Sequence, residues 1–267
     1  MKIIKGIAPF GFMAVLLVVL DLFSYDEELT RAEEVAIEGF HYELEAEQEK
    51  MDTLRNALGD TAFNQQADQI VAQYEANETI HVTVIGSDVH EGGEDMTAWY
   101  QQAEKALNDY YGEDAFSFSF LEPYKGYTSA DVVQSDMIED LKTGESDMIV
   151  LEPFLLNDTR LMAPEDTVQF TDEIIQEIQT ERYDAFLMLQ PANPIASPTA
   201  YQEQVDAIAH FASENDVAYL DHWSAWPSTN DEAIHEYIVE NDMGTVQPNQ
   251  QGHDVWSDAF VQFLTAE

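Results

Sequence analysis

The stretch IHVTVIGSDVHEGG, residues 80–93, decides how the rest of this chain is read. An apolar, β-branched run ends at Gly86 and gives way to small and polar turn residues. A run this short, bounded by turn signals, reads as a strand buried in a sheet. The pattern then repeats. MTAWYQQAEKALNDYYG (96–112) reads as a helix closed by Gly112, and AFSFSFLE (115–122) alternates as a strand does. SADVVQSDMIEDLK (129–142) reads as helix and DMIVLEPF (147–154) as strand, then VQFTDEIIQEIQTE (168–181) as helix and AFLMLQP (185–191) as strand. A Pro-rich loop, PANPIASP (191–198), leads to a helix at 199–215 and the strand VAYLDHW (217–223), and QGHDVWSDAFVQFL (251–264) closes the chain as an amphipathic helix. Strands alternating with helices imply a parallel sheet covered on both faces. The expected fold is therefore an α/β, flavodoxin-like, doubly wound parallel sheet of five strands, with its ligand site at the carboxyl ends of the strands.

Upstream of residue 79 the sequence has a different character. Lys2 and Lys5 precede the apolar run IAPFGFMAVLLVVLDLF, which is near membrane-spanning length. No small-residue cleavage pattern follows it, so residues 1–25 read as an uncleaved signal anchor rather than a signal peptide. The lysines face the cytoplasm, and the acidic remainder is extracellular. The segment 26–78 is rich in Glu, Ala, Leu and Gln and lacks proline. It reads as a helical stalk, the alternative being a helix hairpin docked on the domain or on a second copy. Residues 79–267 form the domain.

The 53 acidic residues against 10 basic ones give a formal charge of -43. Such a surface repels phosphate backbones and excludes nucleic acid as a partner. The acids are scattered rather than set at ligand spacing, so no metal and no cofactor is expected. The chain has no cysteine, which removes disulfides and thiolate chemistry.

Four loops follow strands or precede the last helix: GSDVHEGG (86–93), EPYKGYTS (122–129), EPFLLND (152–158) and VQPNQQGH (246–253). In that order they resemble the blocks of the SGNH (GDSL-type) hydrolases. The outer glycines of the first block are kept at Gly86 and Gly92, but the inner pair reads Ser87-Asp88 instead of Asp-Ser. Gly126 matches the glycine whose N–H faces the oxyanion, and Asn157-Asp158 match the Asn-Asp of the third block without its glycine. In the last block Gln247 stands where the catalytic histidine belongs, with Gly244 at the aspartate position. PFLLND, DHWSAWP and QPNQQGH are also similar to stretches of exported SGNH-like proteins of Gram-positive bacteria.

The resemblance implies an ester hydrolase acting on cell-envelope or secreted polysaccharide, with a degenerate triad. Gly86, Gly126 and Asn157 are then the oxyanion and substrate residues, and Asp88 and Gln247 occupy the nucleophile and base positions. An amide side chain cannot take up and release a proton near neutral pH, so a standard serine mechanism fails in this register. Three alternatives stand beside it. Ser87 could act by a one-residue slip of the turn with His253 as base, although His253 lies nearly two helical turns beyond the usual position. Asp88 could work with His90 or His222 as a metal or acid–base pair. Or the domain is a catalytically inactive one that binds or organises surface polysaccharide. Glu152 and Pro153 read as shaping their turn, Asp158 as bracing the asparagine loop, and His222 as part of a structural Asp-His-Trp cluster.

Overall fold

The computed structural model describes residues 28–59, 61–91, 96–121, 124–240 and 244–266. The expected anchor, 1–25, lies outside them, and among the described residues no helix is long and apolar enough to cross a membrane. The chain forms two compact units, Met1–Asp52 and Thr53–Glu267. What is described of the first unit is helical, part of α1 (Glu28–Leu58), with side chains such as Tyr42 and Leu44 exposed.

The second unit begins well before residue 79. Leu54 and Leu58 of α1 are buried, and α2 (Asn64–Glu75) buries Ala67, Ile70, Val71 and Tyr74 where it packs beside the sheet. The helical character expected over 26–78 is present, but its second half belongs to the domain. The reason is the apolar spacing of Ile70, Val71 and Tyr74, which gives α2 a face that must be covered.

Five parallel strands form the sheet: β1 (Ile80–Ile85), β2 (Phe116–Leu121), β3 (Met148–Leu151), β4 (Phe186–Leu189) and β5 (Ala218–Tyr219), in the order β2-β1-β3-β4-β5. This is the doubly wound flavodoxin-like order. Interior strand β1 pairs with β2 from Ile80↔Phe116 to Ile85↔Leu121 and with β3 from Val82↔Met148 to Ile85↔Leu151. β3 and β4 are buried at every position, as unbroken apolar runs between helix layers should be. Flanking helices α3 (Trp99–Tyr111), α4 (Ser129–Val133), α5 (Leu155–Asp158), α6 (Pro164–Glu181), α7 (Thr199–Glu214) and α8 (Gln250–Thr265) complete the layers, with α3 packed on α8 and α6 on α7.

Two local outcomes differ from the sequence reading. The helix expected over 129–142 breaks into α4 and a 3-10 turn, Ile138–Thr143. At the break, Ser135 Oγ donates to the Val132 carbonyl and accepts from the Met137 N–H, so the side chain takes over backbone partners. The segment before α8 forms a small antiparallel hairpin, β6 (Ile238–Glu240) with β7 (Val246–Pro248), and Gln247 sits opposite Val239.

Candidate functional site

At the carboxyl end of β1 the chain turns through Gly86 into a 3-10 turn, Asp88–His90. A Cβ at Gly86 would lie 2.5 Å from His90 Nε2 and 2.8 Å from Glu152 Cβ, so the closeness of these two side chains requires glycine. Ser87 is fully buried. Its backbone N–H and its hydroxyl both donate to Glu152 Oε2, at 2.8 and 2.6 Å.

Glu152, at the end of β3, is the hub of this layer. It is fully buried, and its other oxygen accepts from the Leu155 N–H at 2.8 Å. That last contact depends on Phe154, a non-glycine residue held at φ 61°, which swings the chain out of β3 into α5. His90 Nδ1 accepts from the Trp99 indole at 2.8 Å, which leaves the proton on Nε2, 3.8 Å from Glu152 Oε2. Burial pushes the Glu152 carboxyl upward, but the facing His90 and the two Ser87 donors outweigh it and hold the group below its usual range, as a carboxylate.

Behind Glu152 lies a layer of rings. Trp256 of α8 stacks on Trp99 and on His222, with centroids 5.3 and 4.4 Å apart, and donates to Gln190 Oε1 at 3.2 Å. His222 is buried, with Nδ1 accepting from the Trp226 indole and Nε2 donating to the Pro191 carbonyl. Burial pushes its pKa down to about 3. His253, in the first turn of α8, is equally buried, its ring held only by a weak contact to the Glu91 backbone, and burial pushes it down to about 4, with the Glu91 contact and Asp254 opposing. The neutral ring is the form this site tolerates.

The sequence-derived positions therefore separate into a buried layer and an open rim. Ser87 meets Glu152, and no hydrogen bond among the described residues joins it to His253 or to any other histidine. His90 and His222 serve tryptophan and backbone partners, and no group of three metal-ligating side chains exists among the described residues. Asp88 stays partly exposed where its turn packs against β7, the strand carrying Gln247.

Gly126 and Asn157 line one cavity of about 230 Å³, together with Arg160, Ile195, Tyr201 and Thr245. Gly126 is exposed at φ 77°, a conformation that favours glycine, and its N–H donates to no described group. Asn157 Nδ2 donates one hydrogen to the Tyr127 carbonyl at 2.7 Å, which fixes the amide and leaves its second N–H available. The rim thus offers preset donors of the kind that hold an oxyanion or a ligand carbonyl. Arg160, Ile195 and Tyr201 were not singled out by the sequence reading. The available signal was Arg160 itself, a rare cation two residues after Asn157-Asp158.

Asp158 braces this wall from beneath. It is fully buried and accepts from the Ser129 N–H at 2.9 Å and the Ser129 hydroxyl at 2.5 Å. Burial pushes its pKa from 3.8 to about 6, with the Ser129 donors opposing. A raised folded pKa contributes stability that is complete below the unfolded value and is lost as pH rises through the folded one. About two pKa units correspond to roughly 3 kcal/mol. Asp158→Asn, which imitates the protonated form, is expected to match the wild type near pH 4 and to exceed it by roughly 3 kcal/mol at pH 8 in urea unfolding. A variant less stable than wild type at pH 8 contradicts this reading.

A family model described as the YwtC protein matches residues 1–44. No curated protein matches the sequence. Solved structures do match. A member of the lipolytic G-D-S-L family from Veillonella parvula is 14% identical, with a TM-score of 0.53, over 69% of this chain and 97% of its own. The psychrotrophic esterase EstA from a Pseudoalteromonas species is 9% identical, with a TM-score of 0.53, over 70% and 97%.

The fold is that of the SGNH hydrolases.

A lipase from a goat rumen metagenome gives the same result at 12% identity, with a TM-score of 0.53 over 69% and 97% of the two chains. Identities this low establish the SGNH fold and leave the chemistry to be argued from the site.

Proposed function

We propose that this chain is a non-hydrolytic SGNH-fold domain, tethered to the outer face of a membrane by residues 1–25, that holds a cell-surface polysaccharide in the cavity beside Gly126 and Asn157. The observation that carries the proposal is the state of Ser87. Its hydroxyl is buried and donates to Glu152, a carboxylate that also accepts from the Ser87 and Leu155 N–H groups, so it is neither reachable nor activated by an imidazole. In direct register the reacting positions hold Asp88 and Gln247. A carboxylate and an amide do not reproduce nucleophile activation by a neighbouring imidazole. What remains is donor geometry, which binds without cleaving.

The second reading, an ester hydrolase working through an arrangement other than the usual triad, is favoured by the same preset donors, since an oxyanion site alone supplies part of catalysis. One experiment separates the two. Full-length protein is titrated with acetylated polysaccharide while acetate release is followed. The binding reading expects saturable binding without release, weakened about tenfold by Asn157→Ala, the size of one lost hydrogen bond to a polar ligand. Acetate release by the wild type that Asn157→Ala suppresses supports the hydrolase instead.

A further inference from the structure

Cations are scarce in this protein, and most of the described ones are paired. Seven of the ten Lys and Arg side chains fall among the described ones. Five of these meet carboxylates: Lys50 with Glu47, Arg55 with Asp68, Lys105 with Asp109, Lys142 with Glu139 and Glu181, and Arg182 with Asp184. The other two, Lys125 and Arg160, are exposed and have no carboxylate partner among the described residues. Both lie at the candidate site: Arg160 lines the cavity, and Lys125 immediately precedes Gly126.

With 53 acidic residues on the chain, a cation without a partner is the exception. Two of them beside one cavity reserve positive charge for something that enters it. The same cavity supplies the Gly126 N–H and the second Asn157 N–H, neither of which has an acceptor among the described residues. A guanidinium presents parallel N–H groups that match a planar carboxylate.

We infer that the cavity beside Gly126 and Asn157 takes a carboxylate-bearing sugar of an acidic polysaccharide, with Arg160 as the carboxylate-binding residue and Lys125 as an outer attracting charge. This rests on the reading of the cavity as a glycan site and adds the charge class of its ligand. Arg160 binds the carboxylate, while Gly126 and Asn157 hold a neighbouring carbonyl or hydroxyl oxygen.

The test is titration calorimetry on the full-length protein with trigalacturonate, with a neutral glucose trisaccharide and with an acidic peptide of equal charge. The expected order is trigalacturonate tighter than the neutral sugar by about tenfold or more, a preference that shrinks as salt is added. Arg160→Gln should remove that preference, and Lys125→Gln should reduce it two- to threefold, about the contribution of an exposed charge. Both side chains are exposed, so melting temperatures equal to wild type serve as the folding control. Unaltered trigalacturonate binding in Arg160→Gln overturns the inference. Equal binding of the neutral sugar overturns the charge assignment and leaves the glycan reading standing. Tighter binding of the acidic peptide overturns the sugar assignment, and absence of binding by both sugars overturns the glycan reading with it.

Discussion

Glu152→Ala is expected to lower the unfolding free energy by about 4 kcal/mol or more, the largest loss from any single truncation at this site. The carboxylate satisfies three buried donors: the Ser87 N–H, the Ser87 hydroxyl and the Leu155 N–H. Its removal strands all three, each at roughly 1–3 kcal/mol. It also withdraws the charge facing His90, 3.8 Å away. For a domain of this size a loss of 4 kcal/mol lowers the melting temperature by about 10 °C. Urea unfolding of the variant measures it, and a loss below about 1 kcal/mol would mean that Glu152 is not the hub described.

The second large effect separates two buried histidines of opposite standing. Both have folded pKa values pushed below the ordinary 6.5, to about 3 for His222 and about 4 for His253. The unfolded chain therefore takes up these protons first. Stability from each is complete above 6.5 and falls as pH drops toward the folded value, at about 1.4 kcal/mol per pH unit. The His253 ring has only a weak contact to the Glu91 backbone, so His253→Leu is expected to be close to neutral at pH 7.5 and to exceed the wild type by about 2–3 kcal/mol at pH 4.5. His222 is bonded on both nitrogens and stacked on Trp256, so His222→Leu is expected to cost about 2 kcal/mol or more at pH 7.5. Paired unfolding curves at the two pH values check both. A His253→Leu variant that loses 2 kcal/mol at pH 7.5 contradicts this.

The sheet was legible because its signal is local. Runs such as VTVIG and MIVL, each followed by a turn and a helical period, state strand, order and burial without reference to distant residues. Gly126 and Asn157 line one cavity for a different reason: both lie in segments that follow parallel strands, which that topology brings to one edge. The role of Ser87 was not legible. Its partner, Glu152, is 65 residues away, and nothing local marks that carboxylate as buried. The pairing exists because Phe154 adopts a left-handed conformation and because Gly86 lets His90 close down, both of them tertiary outcomes. Helix 129–142 failed in the reading because Ser135 competes for backbone hydrogen bonds, an effect that periodicity does not carry. Where the domain begins was not legible, because an acidic helix with a modest apolar face reads the same whether it stands free or lies on a sheet.

The central claim is that Ser87 is a structural hydroxyl locked to Glu152 rather than a nucleophile. Treatment of the folded protein with a fluorophosphonate that tags activated serines, followed by intact-mass and peptide analysis, tests it most directly. The protein is expected to remain unmodified at Ser87 after exposure that fully labels an active serine esterase run in parallel. An adduct on Ser87 that disappears in Ser87→Ala would contradict the claim and return the chain to the hydrolases whose fold it shares.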